Sequence, residues 1–553
     1  MLVDLNIAKL EATLLGAAAN PILTFFAVIL VLAIVVIVGI RLLWKHDPRE
    51  PILVPGSHIL GHLPGIWRYG TSYPVVLSAR AGQPPIYTVS VLGQKIYTVN
   101  SGELAAFMSR KGKQLDAETG FIVVVFQNML GVDKTSMKTL VSLPKPGVKG
   151  RRTPYREEMR TMEHKLLAPG ESNEQFYLRI MNAFVEILDE MTRGQQTSSV
   201  HLMEWLEQLY TRVSGAGLYG KKTSPFESQP SLIGDYWLWD SKMSPFLLQF
   251  FPKYIVPDAF QARERLVQVL GECLEDFRQD GVNDISRRRW ETSKKYGLSR
   301  DYLGRSELEL LNGLLSNTVP AVFWILAHII VTGNGSFSKQ IDEEIGNFVQ
   351  QEEHQLGFDI GQIRQRCPIL VATYQEALRL YASSARAYKV VEDFETPDGC
   401  LLKTGSLVYV PTETIHKNSK NWGADVLQFR PDRWLKSEHE HHPGSYAPFG
   451  VGSSICPGRH FVFDMILGSL VVLLYSFNLQ AAPSSRSAVL KVPERRSRIM
   501  SGMRLPTNGI DVLLSRKAFA DDRQDSSTLR WSFERLRGDK NGKYNSESTV
   551  KML

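Results

Sequence analysis

A mainly helical fold with small β-sheets, of the α+β kind, is what this 553-residue sequence predicts. Three observations lead there. Apolar residues recur with helical spacing from about Asn173 to the Gly333–Gly335 region, as in FYLRIMNAFVEILDEM and around Leu266 and Leu270. Alternating β-formers are confined to short stretches bounded by turn residues. Neither strand–helix–strand alternation nor an internal repeat runs through the chain.

Composition narrows the class. Hydrophobic residues make up 43% and charged residues 22%, which is globular rather than disordered. The net charge of +7 is modest, and no dense Lys/Arg block with interleaved aromatics is present, which argues against nucleic acid as a partner. The cysteines, Cys273, Cys367, Cys400 and Cys456, are scattered. That spacing offers neither zinc-type pairs nor a disulfide framework, so a reducing compartment is expected and each cysteine stands alone.

From the amino terminus, residues 21–40 read PILTFFAVILVLAIVVIVGI, without a charge. Twenty residues at about 1.5 Å each span roughly 30 Å of hydrocarbon. A cleaved signal peptide has a shorter apolar core and a small-residue cleavage site. Here Arg41, Lys45 and Arg49 follow instead. Residues 21–44 are therefore expected to be an uncleaved anchor. The cationic flank behind it places residues 1–20 in the lumen and the body on the cytosolic side of the endoplasmic reticulum membrane, in single-pass topology.

Residues 45–64 carry Pro48, Pro51, Pro55 and Pro64, which forbid helix and give a stiff linker. The body is expected over residues 65–517. It opens with PIYTVSVLGQKIYTVNS, a hairpin turning at Gly93. Strands return near LLKTGSLVYVP, and SGMRLPTNGIDVLLSR reads as a last hairpin. Residues 518–553 are polar and read as a loosely held tail.

One cysteine has a distinctive setting. In PFGVGSSICPGRHF, Cys456 sits among glycines ahead of the apolar run GRHFVFDMILGSLVVLLYSF. Pro457 suits a first helical position, which puts the thiol beside a helix amino end, where free N–H groups favour thiolate. Gly450, Gly452 and Gly458 let the backbone bend and approach something flat. A redox thiol, a buried structural cysteine and an iron ligand all fit this stretch alone.

The order of further motifs decides among them. FGVGSSICPG, with Phe449, Gly452, Cys456 and Gly458, resembles the haem-thiolate signature of the cytochrome P450 family. Upstream, EALR places Glu376 and Arg379 on one helix face, and FRPDRW supplies Phe429, Pro431 and Arg433. The resemblance implies that Glu376, Arg379 and Arg433 form a buried network under the haem loop, and that Cys456 is the axial ligand of haem b. It covers roughly Pro48 to Lys517.

NGLLSNTVPAVFW, Asn312 to Trp324, is similar to the family's oxygen-side helix, where an acid and a threonine hold the water chain that delivers protons during oxygen activation. Thr318 is present, but Asn317 stands in place of the acid. Pro320 would open the helix interior at a cost of about 3 kcal/mol. NTVPAVFW resembles the branch holding sterol 7α-hydroxylases and prostacyclin synthase, and the whole is like a fungal-type biosynthetic member. Thr318 favours a monooxygenase over an isomerase of the prostacyclin synthase type or a non-catalytic haem- and lipid-binding relative.

Ser454 stands where most family members carry an Arg or His for a haem propionate. Lys389 and Arg386 are the candidates for that role. Substrate contacts carried over by resemblance are Phe121, Val124 and Phe126; Leu315, Val319 and Phe323; Ser384 and Ala385; and Met500 and Met503. They imply a greasy pocket for a terpenoid, steroid or similar secondary metabolite. No flavin or nicotinamide fingerprint is present, so electrons are expected from NADPH through NADPH–cytochrome P450 reductase, with cytochrome b5 as a further donor. Lys417, Lys420, Lys436 and Arg459 are candidate contacts for that acidic partner.

Overall fold

The computed structural model of the chain describes residues 46–56, 61–91, 93–141, 153–195, 197–275, 281–332, 336–352, 355–435, 444–452, 455–482, 495–496 and 502–517, with Gly39, Trp531 and Phe533. The expected anchor at 21–44, apart from Gly39, lies outside the described residues, as do Ser454, Lys436, Met500 and most of the tail.

The architecture is mostly helical with small sheets. The hairpin forms as its sequence demands: β1 (Ile86–Val91) pairs antiparallel with β2 (Gln94–Val99), turning through Gly93 at φ +80°. Three further strands, β3 (Leu115–Asp116), β5 (Ala385–Val390) and β6 (Leu407–Pro411), complete a five-stranded sheet in the order β1-β2-β6-β5-β3. A second sheet joins β4 (Thr197–His201), β7 (Phe477–Ala481) and β8 (Asp511–Arg516) in the order β7-β8-β4.

The expected last hairpin does not form. Leu505–Pro506 pairs with Arg495–Arg496, while β8 pairs with β7 and β4. Partners brought in from distant chain outcompete the neighbouring strand, so the Asn508–Gly509 turn passes the chain between two sheets.

Eight helices matter for the site. α1 (Glu171–Thr192) begins with Glu171 and Glu174 in its first turn, where the helix dipole favours anions. α2 (Leu202–Tyr219), α3 (Ser231–Ser241) and α4 (Pro257–Glu275) follow. α5 (Arg300–Leu315) starts at Ser299, whose hydroxyl accepts from the Tyr302 N–H at 3.2 Å. α6 (Thr318–Thr332) continues it after an interruption at Ser316–Asn317. α7 (Pro368–Tyr381) has proline at its start, and the Glu344 carboxylate accepts from the N–H groups of Ile369 and Leu370 at 2.9 and 3.1 Å. α8 (Arg459–Ser476) is apolar over most of its length and largely buried, as a core helix must be. Phe176 of α1 stacks on Phe461 of α8 with ring centroids 4.3 Å apart.

Among the described residues, two stretches, Arg300–Val331 and Arg459–Ser476, are long and apolar enough to cross a membrane, but they are 89% and 67% buried inside the protein over their most apolar part. They are core helices. The tail expectation is corrected at two residues. Trp531 donates from Nε1 to Ser476 Oγ at 3.2 Å and packs against Phe358, Tyr475 and Phe533. Two aromatic rings two residues apart bury apolar area that the polar residues around them cannot.

Candidate active site

A cavity of about 260 Å³ opens where the α5–α6 interruption, β5, the loop before α8 and the Gly502–Met503 segment meet. Cys456, Phe449, Gly450, Asn317 and Thr318 all line it. Cys456 is held in its loop by its own N–H, which donates to Phe449 O at 3.0 Å, and by Arg459, which donates to Cys456 O at 3.1 Å.

The helix behind it starts later than the sequence suggested. Gly458 is the N-cap and Arg459 the first helical residue, so Pro457 lies outside α8. Burial pushes the Cys456 thiol up, against the downward pull of the Gly458 N–H, the Arg459 charge and the Arg459 N–H. Desolvation thus outweighs the helix end. A cationic partner in the cavity, such as a haem iron, would favour the thiolate.

The loop's glycines are not equivalent. Gly450 and Gly452 have φ of +83° and +59°, a region where glycine is favoured. At Gly452 a Cβ would also lie 1.9 Å from Ser109 Oγ. Gly458, with φ −80°, would meet Cys456 Sγ at an ordinary 3.9 Å. Gly452 and Gly458 do not line the cavity.

Beneath this loop Glu376, Arg379 and Arg433 meet. Arg379 donates from Nε and Nη2 to the two Glu376 oxygens, both at 2.8 Å, and Arg433 Nε donates to Oε1 at 3.0 Å. The Trp434 indole and the Arg430 N–H donate to the same carboxylate at 3.0 and 2.9 Å. Arg379 also donates to His416 O and Val426 O at 3.0 and 2.8 Å. His416, pushed down to about 3 first by burial and then by the Arg379 charge, is neutral; its Nδ1 lies 3.1 Å from Arg379 O, and its Nε2 accepts from the Ala447 N–H at 2.8 Å.

The network therefore reaches the chain just ahead of Pro448 and Phe449. Sequence reasoning found the trio and missed His416, which no motif marks. Glu376→Ala is expected to destabilise the fold by about 3–5 kcal/mol, since it leaves buried guanidinium groups unpaired. Denaturant unfolding checks this, and an unchanged midpoint would contradict it.

Several expected contacts fall elsewhere. On strand β5, Arg386 and Tyr388 line the cavity, whereas Lys389 is exposed and does not. Arg386 lies over the Phe121 ring, 5.3 Å from its centre. Phe121, Val124 and Phe126 do not line the cavity; Phe126 is buried under Arg156.

Leu315, Val319 and Phe323 are fully buried in the helical core instead. The cavity side of α5–α6 carries Gly313, Asn317 and Ala321, four residues apart, with Thr318. Offset by two, the expected set points away. Ser384, Ala385 and Met503 line the cavity as expected, while Met500 lies outside the described residues. Lys417 is not a docking residue, because it is buried against Glu413. Lys420 is drawn onto the backbone oxygens of Gly82 and Gln83.

Pro320 does not open a continuous helix either. It occupies the third position of α6, where a backbone N–H has no partner within its helix in any case. The cost expected for a helix interior is avoided because the interruption comes first. Thr318 is 1% exposed, and its hydroxyl has no hydrogen-bond partner among the described residues. A buried hydroxyl left unpaired beside a cavity is suited to a bound group or water. Asn317 meets Gly502 closely: a Cβ there would lie 2.2 Å from Asn317 Oδ1. Gly313, Ala321 and Gly502 had no signal of their own, although two of them follow from Asn317 by four-residue steps.

The cavity thus offers a half-buried thiol, an arginine and a hydroxyl without a partner among the described residues, a donor set that fits haem. The family profile described as Cytochrome P450 matches residues 148–499. A cytochrome P450 monooxygenase of Hypoxylon pulicicidum, nodJ, is 24% identical over 523 residues, covering 91% of this chain and 96% of that one. A cholesterol 7-alpha-monooxygenase of Cricetulus griseus is 26% identical over 318 residues, covering 53% of this chain and 62% of its own length. Among solved structures, the retinoic acid-bound cyanobacterial CYP120A1 matches 85% of this chain and 100% of its own with a TM-score of 0.63 at 17% identity, a likeness of fold. The chain belongs to the cytochrome P450 family, the haem-thiolate oxidoreductases that incorporate molecular oxygen.

Proposed function

We propose that this chain is a membrane-anchored haem-thiolate monooxygenase that inserts one oxygen atom of O₂ into a hydrophobic substrate, a terpenoid, steroid or related secondary metabolite. The observation that carries the reading is that Cys456 and the unpaired hydroxyl of Thr318 open onto one cavity. Cys456 would hold the iron. Arg386, the arginine on the cavity side of β5, would face the haem's anionic edge, with Phe449 and Gly450 against the ring.

When bound, the haem supplies oxygen activation with electrons delivered from NADPH through a reductase, with cytochrome b5 as a further donor. The chain's own residues do the rest. Thr318 binds and orients the water that brings protons, and the Asn317 amide, steadied against Gly502, orients that water without supplying a proton. Ala321, Ala385 and Met503 give an apolar wall that excludes bulk water and accepts a greasy ring system.

The sterol named for the Cricetulus griseus relative makes cholesterol a suitable first probe. The apolar residues 21–40 and the cationic residues behind them favour a single span in the endoplasmic reticulum membrane with the body in the cytosol. The test is reconstitution with NADPH–cytochrome P450 reductase against a sterol and terpenoid panel. An oxidised product that depends on NADPH is expected; haem and lipid binding without NADPH-dependent product would defeat the proposal.

A further inference from the structure

The α5–α6 interruption places Asn317 and Thr318, so whatever fixes it controls their direction. On the side facing α3 it meets Asp240, which is 1% exposed. Asp240 Oδ1 accepts from Ser316 Oγ at 2.8 Å and from Asn312 Nδ2 at 3.4 Å. Asn312 belongs to the last turn of α5, and Ser316 is the first residue of the interruption. One carboxylate oxygen therefore gathers both sides of the point where the helix stops.

The backbone agrees with such a pin. The Ser316 N–H still donates to Asn312 O at 3.1 Å, and the next helical spacing resumes only with the Ala321 N–H on Asn317 O at 3.2 Å. Glu207, on α2, lies within electrostatic reach of Asp240. Burial, then the Asp240 and Glu204 charges, push its carboxyl up to about 8, so it is not a second anion there at neutral pH. A buried carboxylate is costly to keep, and here it is spent on a hydroxyl one residue from Asn317 and two from Thr318.

We propose that Asp240 is a positioning residue: through Ser316 it fixes the α5–α6 interruption and so the direction in which Asn317 and Thr318 enter the cavity. The consequence for turnover rests on the role given to Thr318 above; the effect on the backbone does not.

The test compares the wild-type holoenzyme with Asp240→Asn, Asp240→Ala, Ser316→Ala and the Asp240→Ala/Ser316→Ala double variant. The first readout is backbone hydrogen exchange across residues 313–321. Asp240→Ala should speed exchange there roughly tenfold, the scale of leaving a buried polar group without its hydrogen-bond partner. Ser316→Ala should give most of that effect, the double variant should add nothing to Asp240→Ala, and Asp240→Asn, which keeps the acceptor oxygen, should recover most of the loss.

The second readout is peroxide released per NADPH consumed, with reductase present and cholesterol as the probe lipid, read whether or not the sterol is oxidised. It should rise in Asp240→Ala and Ser316→Ala and fall back toward wild type in Asp240→Asn. Unchanged exchange in Ser316→Ala overturns the proposal, and this variant decides alone where Asp240→Ala does not accumulate. Damage by asparagine equal to that by alanine also overturns it, because the charge rather than the acceptor would then matter. Thr318→Ala runs in parallel: peroxide rising there but not in Ser316→Ala defeats the positioning role alone, whereas no rise in Thr318→Ala defeats the proposed function and leaves exchange to judge Asp240.

Discussion

Cys456→Ala will abolish the red-shifted Soret band of the reduced carbonyl complex and bring turnover to background. The thiol is the cavity's one cysteine among the described residues, and its loop is preset by the hydrogen bond from Cys456 N–H to Phe449 O at 3.0 Å, which alanine retains. The loss should therefore be of ligation rather than of fold. Cys367→Ala is the matched control: that cysteine is buried in the helical core, away from the cavity, and its thiol is pushed up to about 12 by burial. The control should keep the band at some cost in stability, through the small void left by the sulfur. An unchanged spectrum in Cys456→Ala would remove the assignment.

Thr318→Ala should separate electron use from product formation. Its hydroxyl has no protein partner among the described residues, so removing it breaks no protein hydrogen bond and should leave stability nearly unchanged. Proton delivery by a positioned group is typically worth about 10²–10⁴-fold, and product formation should fall by a factor of that order. NADPH consumption continues, with the electrons appearing as peroxide. Asn317→Ala should act in the same direction but more weakly, because an amide orients water without supplying a proton. The measurement is product and peroxide per NADPH in the three proteins. Equal coupling in wild type and Thr318→Ala would count against the oxygen-activating role.

What the sequence disclosed and what it hid follow a physical division. The Glu376–Arg379 pair was legible because three residues on a helix fix a shared face, and Cys456 because its glycines and the apolar run behind it are contiguous. Placement across elements was not legible. Lys389 and Arg386 differ by an odd step on one strand, and only the folded chain shows that Arg386 lines the cavity and Lys389 does not. Leu315, Val319 and Phe323 keep the same four-residue spacing as Gly313, Asn317 and Ala321, and periodicity cannot choose between two phases of one helix.

The same limit accounts for the last hairpin and the tail. The alternation of DVLLSR is satisfied by β7 and β4, one at the end of α8 and the other more than 300 residues upstream. Trp531 and Phe533 lie in a polar stretch whose average hides two aromatic anchors. α8 starts after Gly458 rather than at Pro457, its end still pulls the Cys456 thiol down, and burial outweighs that pull.

The account turns on whether oxygen from O₂ enters the substrate at the expense of NADPH. The most direct measurement is turnover with the reductase under isotopically labelled dioxygen, with the product's mass and the NADPH consumed recorded together. The account predicts one labelled oxygen atom in each hydroxylated product, one NADPH consumed for each coupled turnover, and no product without NADPH. A product that forms without NADPH and carries no label would contradict it and indicate an isomerisation in the same cavity.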